Sequence, residues 1–144
     1  VSMGAATVLM ASGEDLPENV KAVIADCGYT SEWDEFQREA DTLHIPWFPV
    51  LNATSVLSKV RDGYDFKQAS ALAQVKKSRI PTLFIHGSSD ELVPYSMLGE
   101  LYAAAACEKE ELTVEGAGHA LSSSVAPTLY WRTVEDFIAK YLDR

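Results

Sequence analysis

The sequence has no apolar run long enough to cross a membrane, and it has few positive charges. No stretch approaches the ~20 apolar residues that span a bilayer as a helix, and no signal-peptide pattern is visible. The 144 residues include 12 Lys and Arg against 21 Asp and Glu, for a formal net charge of −9. Nucleic-acid binding requires clustered cations that neutralise phosphates, so a nucleic-acid partner is not expected. The expected location is the cytoplasm, with the upstream sequence unknown.

Cysteine is scarce as well, because the chain contains only Cys27 and Cys107. Two cysteines this far apart provide neither a disulfide framework nor a clustered metal site. We expect both to be small buried thiols, and we treat Cys27 as inert because no activating base is evident beside it. No metal or organic cofactor is implied.

The length and composition fit one globular domain. With 47% hydrophobic and 23% charged residues, a chain of this size buries roughly 68–70% of its unfolded surface. There is no internal repeat or low-complexity segment. The chain begins at Val1, in the middle of what should be a strand, a turn and a helix. We therefore expect it to be the C-terminal part of a longer domain.

Ser2 stands where the first helix should begin. The uncharged residues after it predict a buried helix that runs to about Ser12 and ends at a left-handed Gly13. A serine followed by small residues at a helix start is similar to the tail of the nucleophile elbow G-x-S-x-G, in which a sharp turn exposes the hydroxyl. The alternative is that Ser2 is a helix N-cap, whose hydroxyl accepts a backbone hydrogen bond.

Short runs of β-forming residues predict three strands, at about 21–28, 80–87 and 111–115. Helical patterns separate them, at about 31–43, 50–62, 69–75 and 95–106. A last helix begins at Pro127. Strands that alternate with helices predict a three-layer α/β/α sandwich with a parallel sheet of about three strands. The interval 30–79 is too long for a simple crossover, so we expect part of it to form a helical cap-like insertion.

Three side chains, those of Ser2, Asp90 and His119, are expected at the same edge of the predicted sheet. Asp90 follows the second strand, and His119 lies in a glycine-rich loop after the third. Parallel sheets place their chemistry at the C-terminal ends of their strands, so both should meet Ser2 there. The chain order nucleophile, acid and base is that of an α/β-hydrolase. Asp26 is the alternative acid, because it ends the preceding strand.

The other two histidines have simpler interpretations. His86 lies inside a buried strand and is interpreted as a structural hydrogen-bonding residue. His44 precedes an Ile-Pro pair and is interpreted as a surface or helix-end residue. The serine run at 122–124 is interpreted as a loop and helix entry.

Three stretches resemble the α/β-hydrolase superfamily: Ser-Met-Gly-Ala-Ala, Ile-Pro-Thr-Leu-Phe-Ile-His-Gly-Ser-Ser-Asp-Glu-Leu-Val-Pro and Gly-Ala-Gly-His-Ala. With Val-Ile-Ala-Asp-Cys-Gly-Tyr-Thr-Ser, they look most like bacterial serine hydrolases related to dipeptidyl aminopeptidases and acylaminoacyl-peptidases. Residues 1–144 resemble the C-terminal half of such a protein. The resemblance implies that Ser2 is the nucleophile, His119 the general base and Asp90 the carboxylate that orients the imidazole. It also implies that the backbone N–H of Met3 is an oxyanion donor.

The expected activity is hydrolysis of a small-molecule carboxylic ester through an acyl-enzyme. Two alternatives stay open: a peptidase or amidase of the same fold, and a non-catalytic remnant that self-associates. The second oxyanion donor of this fold comes from an earlier loop that the chain lacks. We therefore expect the chain alone to be weakly active or inactive.

The strand at 22–27 should lie at an unprotected edge of the sheet, because the strand that would precede the elbow is absent. An apolar edge with unpaired backbone groups pairs readily with another strand. We expect a two-fold homodimer through this edge, or association with the missing N-terminal half.

Overall fold

The structure is a computed structural model that describes residues 1–142. Its strands are β1 (Val23–Asp26), β2 (Thr82–Gly87) and β3 (Lys109–Val114). Its helices are α1 (Met3–Ala11), α2 (Glu32–Thr42), α3 (Trp47–Asp62), α4 (Ala71–Val75), α5 (Ser96–Ala104), α6 (Ser122–Val125) and α7 (Pro127–Leu142). Among these helices, none combines the length and the apolar character needed to cross a membrane.

The strands form one parallel sheet in the order β1-β2-β3. In register, Ile24 of β1 lies beside Leu83 of β2, and Ile85 of β2 lies beside Leu112 of β3. Every residue of β2 is buried, as expected for the central strand of a sheet that is covered on both faces. The predicted parallel α/β fold is confirmed.

Helices cover both faces of the sheet. On one face, α1, α4 and α5 pack against Ala25 and Phe84. On the other face, α7 packs its Phe137 against Leu83 and Ile85. Successive side chains of β2 thus enter opposite layers, as the alternation of a strand requires. Burying a side chain such as Phe137, which is 0% exposed, contributes about 1.5–3 kcal/mol.

The first helix differs from the expectation in two respects. It is not buried all round, because Met3 and Val8 are exposed on its outer side. The left-handed conformation predicted for Gly13 is wrong, since Gly13 has no positive φ. A Cβ at Gly13 would lie 2.6 Å from the carbonyl oxygen of Gln74, so the glycine instead allows α4 to pack closely. The serine run at 122–124, predicted as a loop and helix entry, lies entirely within the short helix α6.

Three helices, α2 to α4, fill the interval between β1 and β2. The Asp34 N–H donates to Ser31 Oγ at 3.1 Å, the capping interaction that begins α2. Gly63 ends α3 with a left-handed φ of 73°. Helix α2 has no buried residue, and α3 buries only Leu51 and Ser55. Helices α2 and α3 therefore add little to the core, whereas α4 buries Ala71 and Val75 in it. The function of this interval as a cap stays a prediction.

Candidate active site

Ser2 occupies the tight turn that leads into α1. Its backbone has φ 52° and ψ −122°, a strained conformation for a residue with a side chain. The Ser2 N–H donates to the Asp26 carbonyl oxygen at 2.8 Å, which ties the turn to the end of β1. The Ser2 side chain makes no capping hydrogen bond to α1. The N-cap alternative therefore does not describe this hydroxyl.

Asp90 lies in the turn after β2, with a fully buried carboxylate. Oδ1 accepts the backbone N–H groups of Leu92 at 3.0 Å and Val93 at 2.9 Å. Oδ2 lies 2.9 Å from His119 Nδ1 and 3.3 Å from His86 Nε2. Three hydrogen-bond donors, the Leu92 and Val93 N–H groups on Oδ1 and the His119 ring N–H on Oδ2, satisfy both carboxylate oxygens and hold the side chain in one orientation.

The loop that carries His119 is joined to the turn that carries Asp90. The Ser89 N–H donates to the Ala117 carbonyl oxygen at 3.0 Å. A Cβ at Gly87 would overlap that same carbonyl oxygen, so the close approach of the two loops requires glycine there. The positions of the acid and of the imidazole are therefore set by one pair of loops.

A continuous series of hydrogen bonds joins the three side chains. His119 Nδ1 lies 2.9 Å from Asp90 Oδ2, and His119 Nε2 lies 2.9 Å from Ser2 Oγ. Because an ionised carboxylate only accepts, Nδ1 carries the ring proton, and Nε2 accepts the hydrogen bond of the Ser2 hydroxyl. The His119 side chain is 22% exposed and Ser2 is half-buried, so a substrate can reach both.

Asp26, the alternative acid, does not contact His119. Ser122 Oγ donates to Asp26 Oδ1 at 3.1 Å, and Tyr130 also hydrogen-bonds to this carboxyl group. Burial raises the pKa of Asp26, and these two hydrogen bonds partly offset that effect. Asp26 thus ties β1 to α6 and α7, while the carboxylate that meets His119 is that of Asp90.

His86 has a larger part in the site than the sequence pattern indicated. Its Nε2 lies 3.0 Å from the Val93 carbonyl oxygen as well as 3.3 Å from Asp90 Oδ2. Since the Val93 carbonyl oxygen only accepts, Nε2 carries the proton and donates to it. His86 is therefore a structural hydrogen-bonding residue, as predicted, and its ring also lies against the buried carboxylate beside His119. The motif's chain order alone does not reveal this contact.

Cys27 is the second neighbour that the sequence pattern did not reveal. It is buried, with a φ of 48°. Its Sγ, a ring nitrogen of His119 and a carboxylate oxygen of Asp90 all lie within 4.8 Å of one another. Burial raises the pKa of the thiol to about 11, although backbone hydrogen bonds from Ser2 and Ala120 act in the opposite direction. These three side chains are of the types that ligate soft divalent metals.

The remaining histidine and cysteine lie away from this group. His44 is exposed just after α2, as expected. Cys107 is only partly buried, so the expectation of a second buried thiol was wrong. It lies between α5 and β3, and its Sγ is 3.6 Å from Thr82 Oγ1 at the start of β2.

Helix α2 reaches the site from the insertion. Arg38 donates to the Leu92 carbonyl oxygen at 3.3 Å, in the turn that holds Asp90. Burial raises the pKa of Glu35, Arg38 lowers it, and Glu35 also interacts electrostatically with His119 and Asp90. Through the Arg38 hydrogen bond, helix α2 of the predicted cap contacts the turn that holds Asp90.

Met3 directly follows Ser2 and begins α1. Its backbone N–H belongs to the first helical turn, where N–H groups have no intrahelical acceptor. Such a donor beside a serine can stabilise negative charge on an oxygen of the group that the serine attacks. A hydroxyl, an imidazole, an oriented carboxylate and an N–H donor are together the groups that acyl transfer requires.

The parallel sheet, its covering helices and the position of these groups at the strand ends are those of the α/β-hydrolase fold. More specifically, the chain belongs to the prolyl oligopeptidase family, whose family model matches residues 1–144. The predicted resemblance to peptidase-related serine hydrolases is confirmed.

Proteins similar to this chain include one of unknown function and several solved hydrolases. The uncharacterized protein YqkD of Bacillus subtilis (strain 168) is 31% identical over 140 residues, which are 95% of this chain and 45% of that protein. An esterase of Pyrococcus furiosus is 18% identical with a TM-score of 0.69, over 98% of this chain and 52% of the esterase. An acylaminoacyl peptidase of Pyrococcus horikoshii is 16% identical with a TM-score of 0.69, over 99% of this chain and 23% of the peptidase. The chain thus spans about half or less of these proteins, and the solved structures share its fold.

Proposed function

We propose that the protein hydrolyses carboxylic esters through an acyl-enzyme formed on Ser2. His119 is the general base, and Asp90 orients its imidazole. The observation that carries the proposal is the pair of 2.9 Å contacts of His119, one to Ser2 Oγ and one to Asp90 Oδ2. A serine hydroxyl is a weak nucleophile until a neighbouring base removes its proton, and this geometry supplies such a base.

The reaction follows from the positions of the protons. His119 Nε2 accepts the Ser2 proton as Oγ attacks the ester carbonyl carbon, and the carbonyl oxygen becomes an oxyanion. The Asp90 carboxylate stabilises the imidazolium that forms. The imidazolium then protonates the leaving alcohol, which departs and leaves the acyl group on Ser2. Water attacks this acyl-enzyme with His119 again as base, and the carboxylic acid is released.

The oxyanion requires donors, and the Met3 N–H is the one proposed within this chain. A single donor is worth about 10²–10³ in rate. The relatives are about twice as long as this chain or longer, and a second donor would belong to the rest of such a protein. We therefore expect the 144-residue chain alone to be weakly active or inactive.

Esters are proposed ahead of amides because an alcohol is the better leaving group. With an ester, collapse of the tetrahedral intermediate depends less on oxyanion stabilisation than it does with an amide. It also depends less on protonation of the leaving atom. A peptidase or amidase of the same fold is the alternative within this mechanism. It differs in the leaving group and not in the residues that act.

The test measures hydrolysis of a p-nitrophenyl ester and of a p-nitroanilide with the same acyl group. We expect ester turnover above the buffer rate in a longer protein that contains this chain, slower anilide turnover, and neither activity in Ser2→Ala. Ester turnover that survives in Ser2→Ala would contradict the proposal. Faster anilide than ester turnover would instead support the amidase alternative.

A second candidate is self-association through β1. It would either accompany hydrolysis or be the only property of a non-catalytic remnant. Within the described chain, β1 pairs with β2 on one side only. An apolar cavity of about 210 Å³ lies against β1, and its lining includes Val8, Val20 and Ile24. Pairing with a second copy, or with the rest of a longer protein, would satisfy the free backbone groups.

A further inference from the structure

The Cys27 thiol takes no part in the proposed hydrolysis, yet it lies beside two groups that do. One sulfur, one imidazole nitrogen and one carboxylate oxygen lie within 4.8 Å of one another at Cys27, His119 and Asp90. Thiolate, imidazole and carboxylate are the ligand types that Zn²⁺ takes in proteins. We propose that these three side chains form an inhibitory binding site for Zn²⁺ and similar soft divalent cations, including Co²⁺.

The geometry is close to what coordination needs. Zinc bonds to these ligand types are ~2.0–2.3 Å long, so the donor atoms of a tetrahedral site lie roughly 3.3–3.8 Å apart. The separations, which are 4.8 Å or less, therefore have to change by up to roughly 1.5 Å. His119 Nδ1 and Asp90 Oδ2, 2.9 Å apart, have to separate slightly, while the Cys27 sulfur has to come closer. His119 can supply this movement, because its side chain is 22% exposed while that of Asp90 is 0% exposed. The same exposure gives the cation a route to the site.

The local charges favour a cation at this point. Asp26 and Asp90 both act electrostatically on the Cys27 thiol, and Glu35 acts on Asp90 and His119. The whole chain carries a formal net charge of −9, which raises the local concentration of cations. Binding displaces the thiol proton to solvent, and the thiolate then bonds the cation. Where the cation bonds His119 Nδ1, the proton on that nitrogen moves to Nε2, so that the ring stays neutral and Nδ1 supplies its lone pair.

The donor set also predicts which cations bind and what they do. Sulfur and imidazole select Zn²⁺ or Co²⁺ over Mg²⁺, which prefers oxygen ligands and retains its water. A coordinated His119 cannot take the Ser2 proton, and a coordinated Asp90 cannot orient the ring. The effect on rate rests on the proposed function, whereas cation binding itself does not.

The first test is titration of the metal-free 144-residue chain with Co²⁺, followed by absorption spectroscopy. A bound thiolate produces a sulfur-to-cobalt charge-transfer band in the near ultraviolet. The chain has two cysteines, so Cys107→Ser is a matched control that assigns the band without altering the site. We expect the band in the wild-type chain and in Cys107→Ser, with no band from Mg²⁺. Absence of the band in the wild-type chain, or its loss in Cys107→Ser, would overturn the proposal.

Two further variants sharpen the assignment. Cys27→Ser should abolish the band, and His119→Ala should weaken Co²⁺ binding by at least about tenfold, as loss of a ligand or its support does. Circular dichroism checks that each variant is folded, and the Cys107→Ser result decides the question if Cys27→Ser does not fold. A band that persists in folded Cys27→Ser would contradict the site.

The second test follows ester turnover during a Zn²⁺ titration, in a longer protein that contains this chain. At a Zn²⁺ concentration ten times the Kd, mass action predicts a roughly tenfold loss of rate. EDTA should restore the rate, and Mg²⁺ should leave it unchanged. A rate that stays constant while the Co²⁺ band saturates would overturn the inhibitory role. If no ester turnover exists, the proposed function fails, and the Co²⁺ band still decides whether the cation binds.

Discussion

The loops at the strand ends and the helices α2 and α3 are held in very different ways. In the loops, both oxygens of Asp90 meet donors, and Ser2 keeps a strained φ of 52°. In the helices, α2 buries no residue, while Phe48 and Val60 of α3 are 66% and 81% exposed. Strained conformations persist only where surrounding contacts over-determine them. Substitutions should therefore act strongly at the strand ends and weakly in the helices.

The largest expected effect is that of His119→Ala on ester turnover. Loss of the base should lower kcat by about 10⁴–10⁶-fold, as in serine proteases, with little change in stability because the side chain is partly exposed. The matched control is His44→Ala, an exposed histidine after α2, which should retain full activity. Equal losses in the two variants, measured under saturating ester, would remove the distinction between the regions.

The next effect separates the two candidate acids. Asp90→Asn should lower kcat by about 10⁴-fold, because the amide favours the wrong imidazole tautomer. Asp26→Asn should lower it less than about tenfold, because Asp26 bonds Ser122 and Tyr130 and not His119. Steady-state kinetics of both variants decide the matter. A larger loss in Asp26→Asn would show that the acid assignment is wrong.

A pair of phenylalanines compares the stability of the sheet with that of the helices. Phe84→Ala should destabilise the fold by about 3–5 kcal/mol, because Phe84 is 1% exposed in β2. Phe48→Ala should change the free energy of unfolding by no more than about 0.5 kcal/mol, since Phe48 is 66% exposed. Urea denaturation measures both. Similar losses would mean that the insertion is part of the core.

A smaller effect is expected at His86. His86→Phe removes the hydrogen bond to the Val93 carbonyl oxygen in the turn that holds Asp90, and it removes a polar ring nitrogen that lies 3.3 Å from the buried Asp90 carboxylate. We expect a roughly tenfold fall in kcat, as for outer-shell partners elsewhere, with partial recovery in His86→Gln. The resonance of the proton on His119 Nδ1 should shift in the NMR spectrum of His86→Phe. An unchanged resonance would mean that His86 packs beside Asp90 without affecting the His119 proton.

The smallest effect concerns the edge of the sheet. The 144-residue chain should sediment as a dimer at micromolar concentration, because β1 has a free edge within the described residues. Ile24→Lys should shift the chain toward the monomer, and circular dichroism shows whether the fold is retained. A clean wild-type monomer at that concentration would contradict pairing through β1.

The strands and the loops that bear Ser2, Asp90 and His119 could be predicted from the sequence because each depends on local patterns. A short apolar run marks a strand, the residue after it lies at the C-terminal edge, and parallel strands share that edge. Small residues after Ser2 mark the start of α1. These inferences require no knowledge of long-range packing.

The neighbours of these groups could not be predicted, because they depend on strand order and on side-chain direction. Cys27 lies beside His119 only because β1 and the loop after β3 both end at the same edge. His86 lies beside Asp90 because the chain turns directly after β2, where the Asp90 N–H donates to the Gly87 carbonyl oxygen. Gly13 was misread for a related reason, since its requirement comes from Gln74 of α4 and not from the end of α1.

The central claim is that Ser2 is an activated nucleophile, and a fluorophosphonate probe tests it most directly. The probe phosphonylates a serine only when a neighbouring base and an oxyanion donor assist the attack. In a longer protein that contains this chain, mass spectrometry of the labelled peptides should find the adduct on Ser2. The adduct should be lost in Ser2→Ala and in His119→Ala and retained in Ser122→Ala, whose hydroxyl bonds Asp26. A folded protein with no adduct on Ser2, or with its adduct on another serine, would contradict the account.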